Sequence, residues 1–464
     1  MSYPRGIVAG MKTRSVHRCG ECGAESPRWL GRCPECGVWG SLSESAVSRA
    51  RGDASVAAPG AGPVPIPDVG RGAADRRATG VGELDRVLGG GLVPGSVTLL
   101  VGEPGMGKST LLLQALGRLA ASGARCLLVG AEESPEQVRM RAERVGALDA
   151  SLLLADDASL ARVRAHVDAV SPAVLAVDSI QAISDPALPG APGSITQVRE
   201  CAHALVRLAK ERGIPTLLVG HVTKEGTLAG PRALEHVVDT VLSFDGDRHH
   251  TLRFLHALKH RFGATTELGL LEMRGDGLID VPDASALFLA DRRPDAPGSV
   301  VAPVVEGSRP LLVEVQALVA PSAAPMPRRS ATGLDSTRLA LLLAVLEQRA
   351  GVQVAGAEVY ASVAGGVRVS EPGVDLAVAL AVAGAHRGQV VASDTVVLGE
   401  IGLGGELRQV PQASRRLAEA ARLGFTRAIG PPSLPTTAGI RVVAVATLAD
   451  ALEVAFLGRS VRAA

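Results

Sequence analysis

A glycine-rich stretch, Gly102-Glu103-Pro104-Gly105-Met106-Gly107-Lys108-Ser109-Thr110, follows the apolar run Val97 to Val101 and opens a helical pattern, Leu111 to Ala121. G-x-x-x-x-G-K-[ST] between a strand and a helix leaves few folds open, because all three parts cooperate on one ligand. Glycines let successive backbone N–H groups turn inward around phosphate oxygens, and the helix N-terminus adds its positive dipole end. In that arrangement Lys108 reaches the β- and γ-phosphates and Ser109 ligates magnesium. The motif implies a bound nucleoside triphosphate.

Beyond this loop, apolar runs at 125–130, 151–155, 173–177 and 215–220 alternate with helical patterns near 134–144, 158–168 and 195–211. Alternation of this kind predicts an α/β domain with a mainly parallel sheet covered by helices. The run Val174-Leu175-Ala176-Val177 ends in Asp178, well placed as a second group on the magnesium side. Glu132 and Glu133 follow another strand, where a carboxylate can orient or deprotonate an attacking water. Ser134-Pro135-Glu136 reads as the cap and first turn of the next helix, so either glutamate could face the site. His221 closes the strand pattern ending at Gly220 and is a candidate γ-phosphate sensor or a simple strand cap. Lys259-His260-Arg261-Phe262-Gly263 ends a further strand pattern, Thr251 to Leu258. A period of two turns Lys259 and Arg261 to one face, as an anion site or finger, or as an exposed hairpin end.

Four of the six cysteines crowd together as Cys19-x2-Cys22 and Cys33-x2-Cys36. Two such knuckles supply the four thiolates of a tetrahedral zinc site, and the metal would replace a core that so short a segment cannot build. Trp29 and Trp39 flank the second knuckle and are expected to cover the site. Arg14, His17, Arg18, Arg28 and Arg32 make the module basic, which suits a phosphate backbone or an acidic partner, or is simply a solvated face. Cys126 and Cys201 fall in strand and helix patterns and read as core. Residues 45–78 are rich in Ala, Gly, Pro and Ser without periodicity, as a linker is. There is no span-length apolar run and no apolar signal region, so a cytoplasmic, membrane-free protein is expected.

Taken in order, these motifs resemble the bacterial RadA family of DNA-repair ATPases along nearly the whole chain. The resemblance rests on Cys19 to Cys36, Gly102 to Thr110, Gly130 to Ser134, Gly220 to Gly226, Leu234-Glu235-His236, Lys259 to Gly263, and Glu371-Pro372 through Asp375. It implies four parts: a zinc finger (1–44), a linker (45–78), a RecA-like ATPase domain (79–285) and an α+β domain like that of Lon protease (286–464). It further implies ATP, magnesium and zinc as cofactors. The activity implied is that of a DNA-stimulated ring motor, a hexamer, on single-stranded and branched DNA, driving branch migration beside the RecA recombinase. Arg261 and Lys259 would then act across a subunit boundary. The family usually has Asn where His260 stands.

Proteolysis of the Lon type needs a serine nucleophile and a lysine that accepts its proton. Here the nucleophile position falls on Asp375, and Arg408 to Arg416 contains no lysine. The C-terminal domain is therefore expected to keep the fold without the chemistry, serving ring assembly and DNA contact. Arg328, Arg329, Arg338, Arg368, Arg415 and Arg416 are candidates for a DNA path. An ATP-dependent protease and a signalling ATPase with a protein partner are the alternative readings.

Overall fold

Four thiol-bearing positions on so short a segment leave little apolar material, and the N-terminal sheet is correspondingly small. It comprises β1 (Ser15–Cys19), β2 (Glu25–Ser26) and β3 (Leu42–Ala46), in the order β2-β1-β3. Its buried cluster is Cys19, Cys33 and Leu42, with Ala24 packed beside them. The computed structural model describes residues 15–20, 24–26, 28–46, 65–66, 76–221, 234–246, 251–324 and 326–456. Cys22, most of the expected linker and the stretch Val222 to Gly226 lie outside the described residues.

Nine strands build the central sheet. They are β4 (Val97–Gly102), β5 (Cys126–Gly130), β6 (Leu152–Asp156), β7 (Val174–Asp178), β8 (Thr216–His221), β9 (Thr240–Gly246), β10 (Leu252–His260), β11 (Leu268–Arg274) and β12 (Gly277–Asp280). The order is β12-β11-β10-β9-β4-β8-β7-β5-β6. Strands β4 to β9 pair in parallel, whereas β10 runs antiparallel to β9, and β11 to β12. The helices are α1 (Gly82–Val87), α2 (Lys108–Ala121), α3 (Pro135–Arg144), α4 (Leu160–Val170) and α5 (Ile195–Arg212). Each strand and helix expected between 125 and 220 is present, with ends within two residues.

The strands are apolar on both faces because both faces are covered. Leu100, Leu128 and Ala176 join the α2 side, with Leu112 and Leu116; Leu99, Val101, Leu127, Val129, Leu175 and Val177 join the α5 side, with Cys201 and Leu205. This is the period-two alternation of a pleated strand, read out as two cores. Burying one such leucine contributes about 1.5–3 kcal/mol. Cys126 and Cys201 are wholly buried, and burial pushes each thiol up to about 11.

A second compact unit holds residues 247–252, 266–270 and everything from Val281, while the first holds the remainder. The sequence set this boundary after residue 285; the units change over after Asp280. The second unit contains a sheet of β13 (Ser299–Glu306), β14 (Arg309–Pro321), β15 (Arg329–Thr332), β16 (Ala357–Val363), β17 (Thr395–Val397), β20 (Arg427–Gly430) and β21 (Arg441–Ala444). Its order is β15-β16-β14-β13-β17-β20-β21, and β18 (Glu400–Ile401) and β19 (Leu407–Arg408) form a separate hairpin. Helices α6 (Ala284–Leu289), α7 (Ser336–Ala350), α8 (Asp375–Arg387), α9 (Ala413–Arg422) and α10 (Leu448–Phe456) complete it.

Candidate nucleotide-binding site

The C-terminal ends of the parallel strands meet at one edge of the sheet. Gly102 pairs with His221, and Gly130 with Asp178. Between β4 and α2 the loop turns on glycines. Gly107 caps α2 with φ 103°, a left-handed conformation that favours glycine. A Cβ on Gly102 would collide with the carbonyl oxygen of Phe244. Glu103, Pro104 and Gly105 face solvent, whereas the Met106 side chain joins the core, so only its backbone is available to a ligand.

Lys108 is 4% exposed and donates to the carbonyls of Gly102 at 2.8 Å and Glu103 at 2.9 Å. Burial pushes its pKa down, against the pull of the Asp178 and Glu132 charges. Burial pushes the Asp178 carboxyl up, against the pull of the nearby Ser109 hydroxyl and with the charge of Glu132 adding. Thr110 is buried in the first turn of α2.

The two glutamates part company. Glu133 is held by Arg141 of α3. Glu132 turns to the strand ends, where Ser179 donates to its Oε1 and His221 Nε2 lies 3.2 Å from its Oε2. The His221 hydrogen bond above all, with Ser179 and the Lys108 charge adding, holds the Glu132 carboxyl below the usual range against its burial. Glu132 is therefore ionised at neutral pH, as a proton acceptor must be. The capping box on α3 explains the divergence: Ser134 and Gln137 close on each other's backbone, fixing the turn that sends successive side chains apart.

Lys259 and Arg261 sit elsewhere. His260 pairs with Thr240, and Thr240 with Thr98, so the motif lies level with the start of β4. That is the opposite edge of the sheet, about 13 Å along the strand from Gly102 at ~3.3 Å per residue. Lys259 donates to the carbonyls of Glu235 at 2.6 Å and Val238 at 2.9 Å. Arg261 is half exposed and reaches buried Asp239 at 3.1 Å. Burial and then the Arg261 charge push the Lys259 ammonium down. His260 faces the other way, bonding Thr240 Oγ1 at 2.9 Å and the Leu88 carbonyl at 3.2 Å. The middle residue of the motif thus ties β10 to β9 and to the end of α1.

In the finger, the Sγ atoms of Cys19, Cys33 and Cys36 lie within 4.8 Å of one another. Cys19 Sγ and Cys36 Sγ are 3.6 Å apart. Thiolates each about 2.3 Å from a tetrahedral zinc stand about 3.8 Å from one another, so the donors present fit that ion. Trp29 and Trp39 do not cover the cluster as expected; they are 61% and 75% exposed. Cys19 and Cys33 are buried with Leu42 and Ala24 instead of under an aromatic lid.

Residues 73–227 match the AAA domain family, and residues 17–44 match the rubredoxin metal binding domain family. DNA repair protein RadA of Halalkalibacterium halodurans is 45% identical over 458 residues, covering 97% of this chain and 100% of its own. The RadA proteins of Bacillus subtilis and Mycolicibacterium smegmatis are 43% and 45% identical, each over 456 residues and 96% of this chain, and over 100% and 98% of their own. The chain belongs to the RadA family. It is an ATP-hydrolysing enzyme with a metal-binding ribbon at its N-terminus.

The C-terminal arginines correct one expectation for this RadA-family chain. Arg416 is 1% exposed and grips Glu371 with both terminal nitrogens, at 2.6 and 2.5 Å. Arg338 pairs with Asp375, which is itself 1% exposed and accepts from Ile401 N–H at 3.1 Å. Arg416 is thus withdrawn from the surface beside a partly exposed Glu371, while Arg338, one-third exposed, neutralises a buried Asp375. Arg328, Arg329, Arg368 and Arg415 are exposed. The last lysine of the whole sequence is Lys259, so the C-terminal unit holds none to activate a serine. Sequence reasoning also missed Ser179 and Arg253, a 6%-exposed strand residue whose Nε supports the Met106 carbonyl at 3.1 Å. An arginine amid the apolar β10 pattern was the available signal. No helix among the described residues is long and apolar enough to cross a membrane.

Proposed function

We propose that this ATPase is a DNA-stimulated motor that assembles as a ring, a hexamer, on single-stranded and branched DNA and promotes branch migration beside the RecA recombinase. Lys108 swings from the loop carbonyls to the β- and γ-phosphates of ATP. Ser109 and Asp178 hold magnesium, which when bound neutralises charge on the phosphate oxygens. Glu132, rather than Glu133, orients the attacking water and takes its proton. Lys259 and Arg261 serve the nucleotide of the adjacent subunit. The four cysteines Cys19, Cys22, Cys33 and Cys36 hold structural zinc. The C-terminal unit is a Lon-like fold, without proteolytic chemistry, that supports the ring.

The observation that carries this reading is the position of Lys259 and Arg261 at the sheet edge away from their own phosphate loop. Within one subunit they stand far from the bound phosphates, whereas head-to-tail assembly brings such an edge to a neighbour's site. A protease reading has no lysine to rest on.

The test is steady-state ATP hydrolysis with and without single-stranded DNA, for the wild type, Lys108→Ala, Arg261→Ala and an equimolar mixture of the two variants. Each variant alone is expected to be inactive or unstimulated. The mixture regains DNA-stimulated turnover, because a Lys108→Ala subunit lends its intact Arg261 to a neighbour's intact loop. No regain would sink action across a boundary. Hydrolysis indifferent to DNA would favour an ATPase with a protein partner.

A further inference from the structure

Both oxygens of Glu132 are occupied. Oε1 accepts from the hydroxyl of Ser179, and Oε2 faces His221 Nε2 at 3.2 Å. The two donors come from the ends of two adjacent strands, β7 and β8. A carboxylate that must aim one lone pair at a water gains from having its rotation removed beforehand, since a misaimed base wastes its basicity.

The donors differ in freedom. Ser179 is 0% exposed and follows directly on Asp178, which lines the same cleft as Ser109. Its hydroxyl is thereby fixed to the frame that carries the metal-side groups. A buried hydroxyl needs a partner, and this one finds a glutamate 47 residues away. The loop bearing Glu132 is tied to the same frame by Ala131 N–H, which donates to the Asp178 carbonyl at 3.1 Å. His221 is one-third exposed, and its Nδ1 is buried without a partner among the described residues. Gln181 donates to the His221 carbonyl at 3.4 Å, while its own Oε1 lacks a partner there too. Glu132 is thus the hydrogen-bond partner the described residues offer the imidazole.

We infer that Ser179 is a positioning residue for hydrolysis: with His221 as the yielding second arm, it clamps Glu132 in the orientation that receives the attacking water. This rests on the reading of Glu132 as the base. Ser179 touches neither nucleotide nor water in this scheme; it acts through Glu132 alone.

The experiment compares full-length Ser179→Ala, Ser179→Thr, Glu132→Gln and the double variant Ser179→Ala/Glu132→Gln. The readouts are kcat, KM for ATP and calorimetric affinity for ADP with magnesium. Losing one hydrogen bond to a charged group lowers kcat by about tenfold in Ser179→Ala. KM and ADP affinity stay unchanged, Thr restores turnover through its hydroxyl, and the double variant is no slower than Glu132→Gln. Ser179→Ala with full turnover would overturn the clamp. So would a loss of ADP affinity in step with kcat, or a cost that persists in the Glu132→Gln background, because Ser179 would then act on Asp178 or the fold. Full turnover in Glu132→Gln alone would instead overturn the assignment of the base.

Discussion

Two sites of this chain, one in each unit, balance buried charge in opposite ways. In the ATPase unit Lys108 is almost fully buried, yet among the described residues it donates to backbone carbonyls, with Asp178 and Glu132 acting on it as nearby charges. In the C-terminal unit two buried charges, Arg416 and Asp375, are each matched by a bidentate ion pair, with the partly exposed Glu371 and Arg338. A buried charge lacking an ion-pair partner carries an unmet desolvation cost, which a ligand of opposite charge relieves on binding. A buried charge already gripped by its opposite has nothing left to offer a ligand. On the proposed function the first arrangement awaits phosphates, and the second is scaffolding.

The contrast breaks most visibly at Lys108. Lys108→Ala is expected to lower ATP turnover on the order of a thousandfold, as loss of a preorganised charge at a phosphoryl-transfer site does. Thermal stability should hold or rise, because the variant removes a buried ammonium without stranding a carboxylate partner. A large fall in melting temperature would show Lys108 to be structural, and the contrast would fail. Arg416→Met should behave in reverse. It leaves Glu371, 23% exposed and still bonded by the Val305 N–H, without its guanidinium partner, at a cost of about 1–3 kcal/mol in urea unfolding. Adding Glu371→Leu to Arg416→Met should recover most of that loss, since the uncompensated charge is then gone. If Arg416→Met unfolds no more easily than the wild type but loses DNA binding, Arg416 belongs to a DNA path after all.

What the sequence disclosed follows the same division. The phosphate loop, the alternating strands and the Asp178 position are local patterns, each fixed by neighbours a few residues away. The C-terminal pairs are not local: Arg338 and Asp375 are 37 residues apart, and Arg416 and Glu371 are 45 apart. From sequence those arginines were indistinguishable from exposed ones, because no spacing rule links a helix residue to a carboxylate some forty residues away. The Ser179–Glu132 contact was hidden for the same reason, although both residues end legible strands. Glu132 and Glu133 stayed unresolved because adjacent residues in a turn share every sequence feature; only the cap on α3 separates them. Trp29 and Trp39 misled because a large apolar residue beside a small metal site suggests a lid, whereas Leu42 and Ala24 pack with Cys19 and Cys33 without one.

The smallest effect, and the sharpest check on the contrast, is expected at Glu133. If an arginine partner marks a carboxylate as structural, Glu133 should be dispensable to chemistry despite lying beside Glu132. Its partner Arg141 is 24% exposed and Glu133 itself 35%, so water screens the pair. Such partly exposed pairs are worth about 0–1 kcal/mol, and Glu133→Gln should change kcat by no more than about fivefold. Glu132→Gln should lose about a hundredfold or more, the usual contribution of a positioned base. The comparison is internal, since both variants remove one charge from the same turn. Equal losses would mean that the turn's total charge matters and not the identity of the base. A larger loss in Glu133→Gln would reassign the base to the arginine-bound glutamate and end the use of ion pairing to tell site from scaffold here.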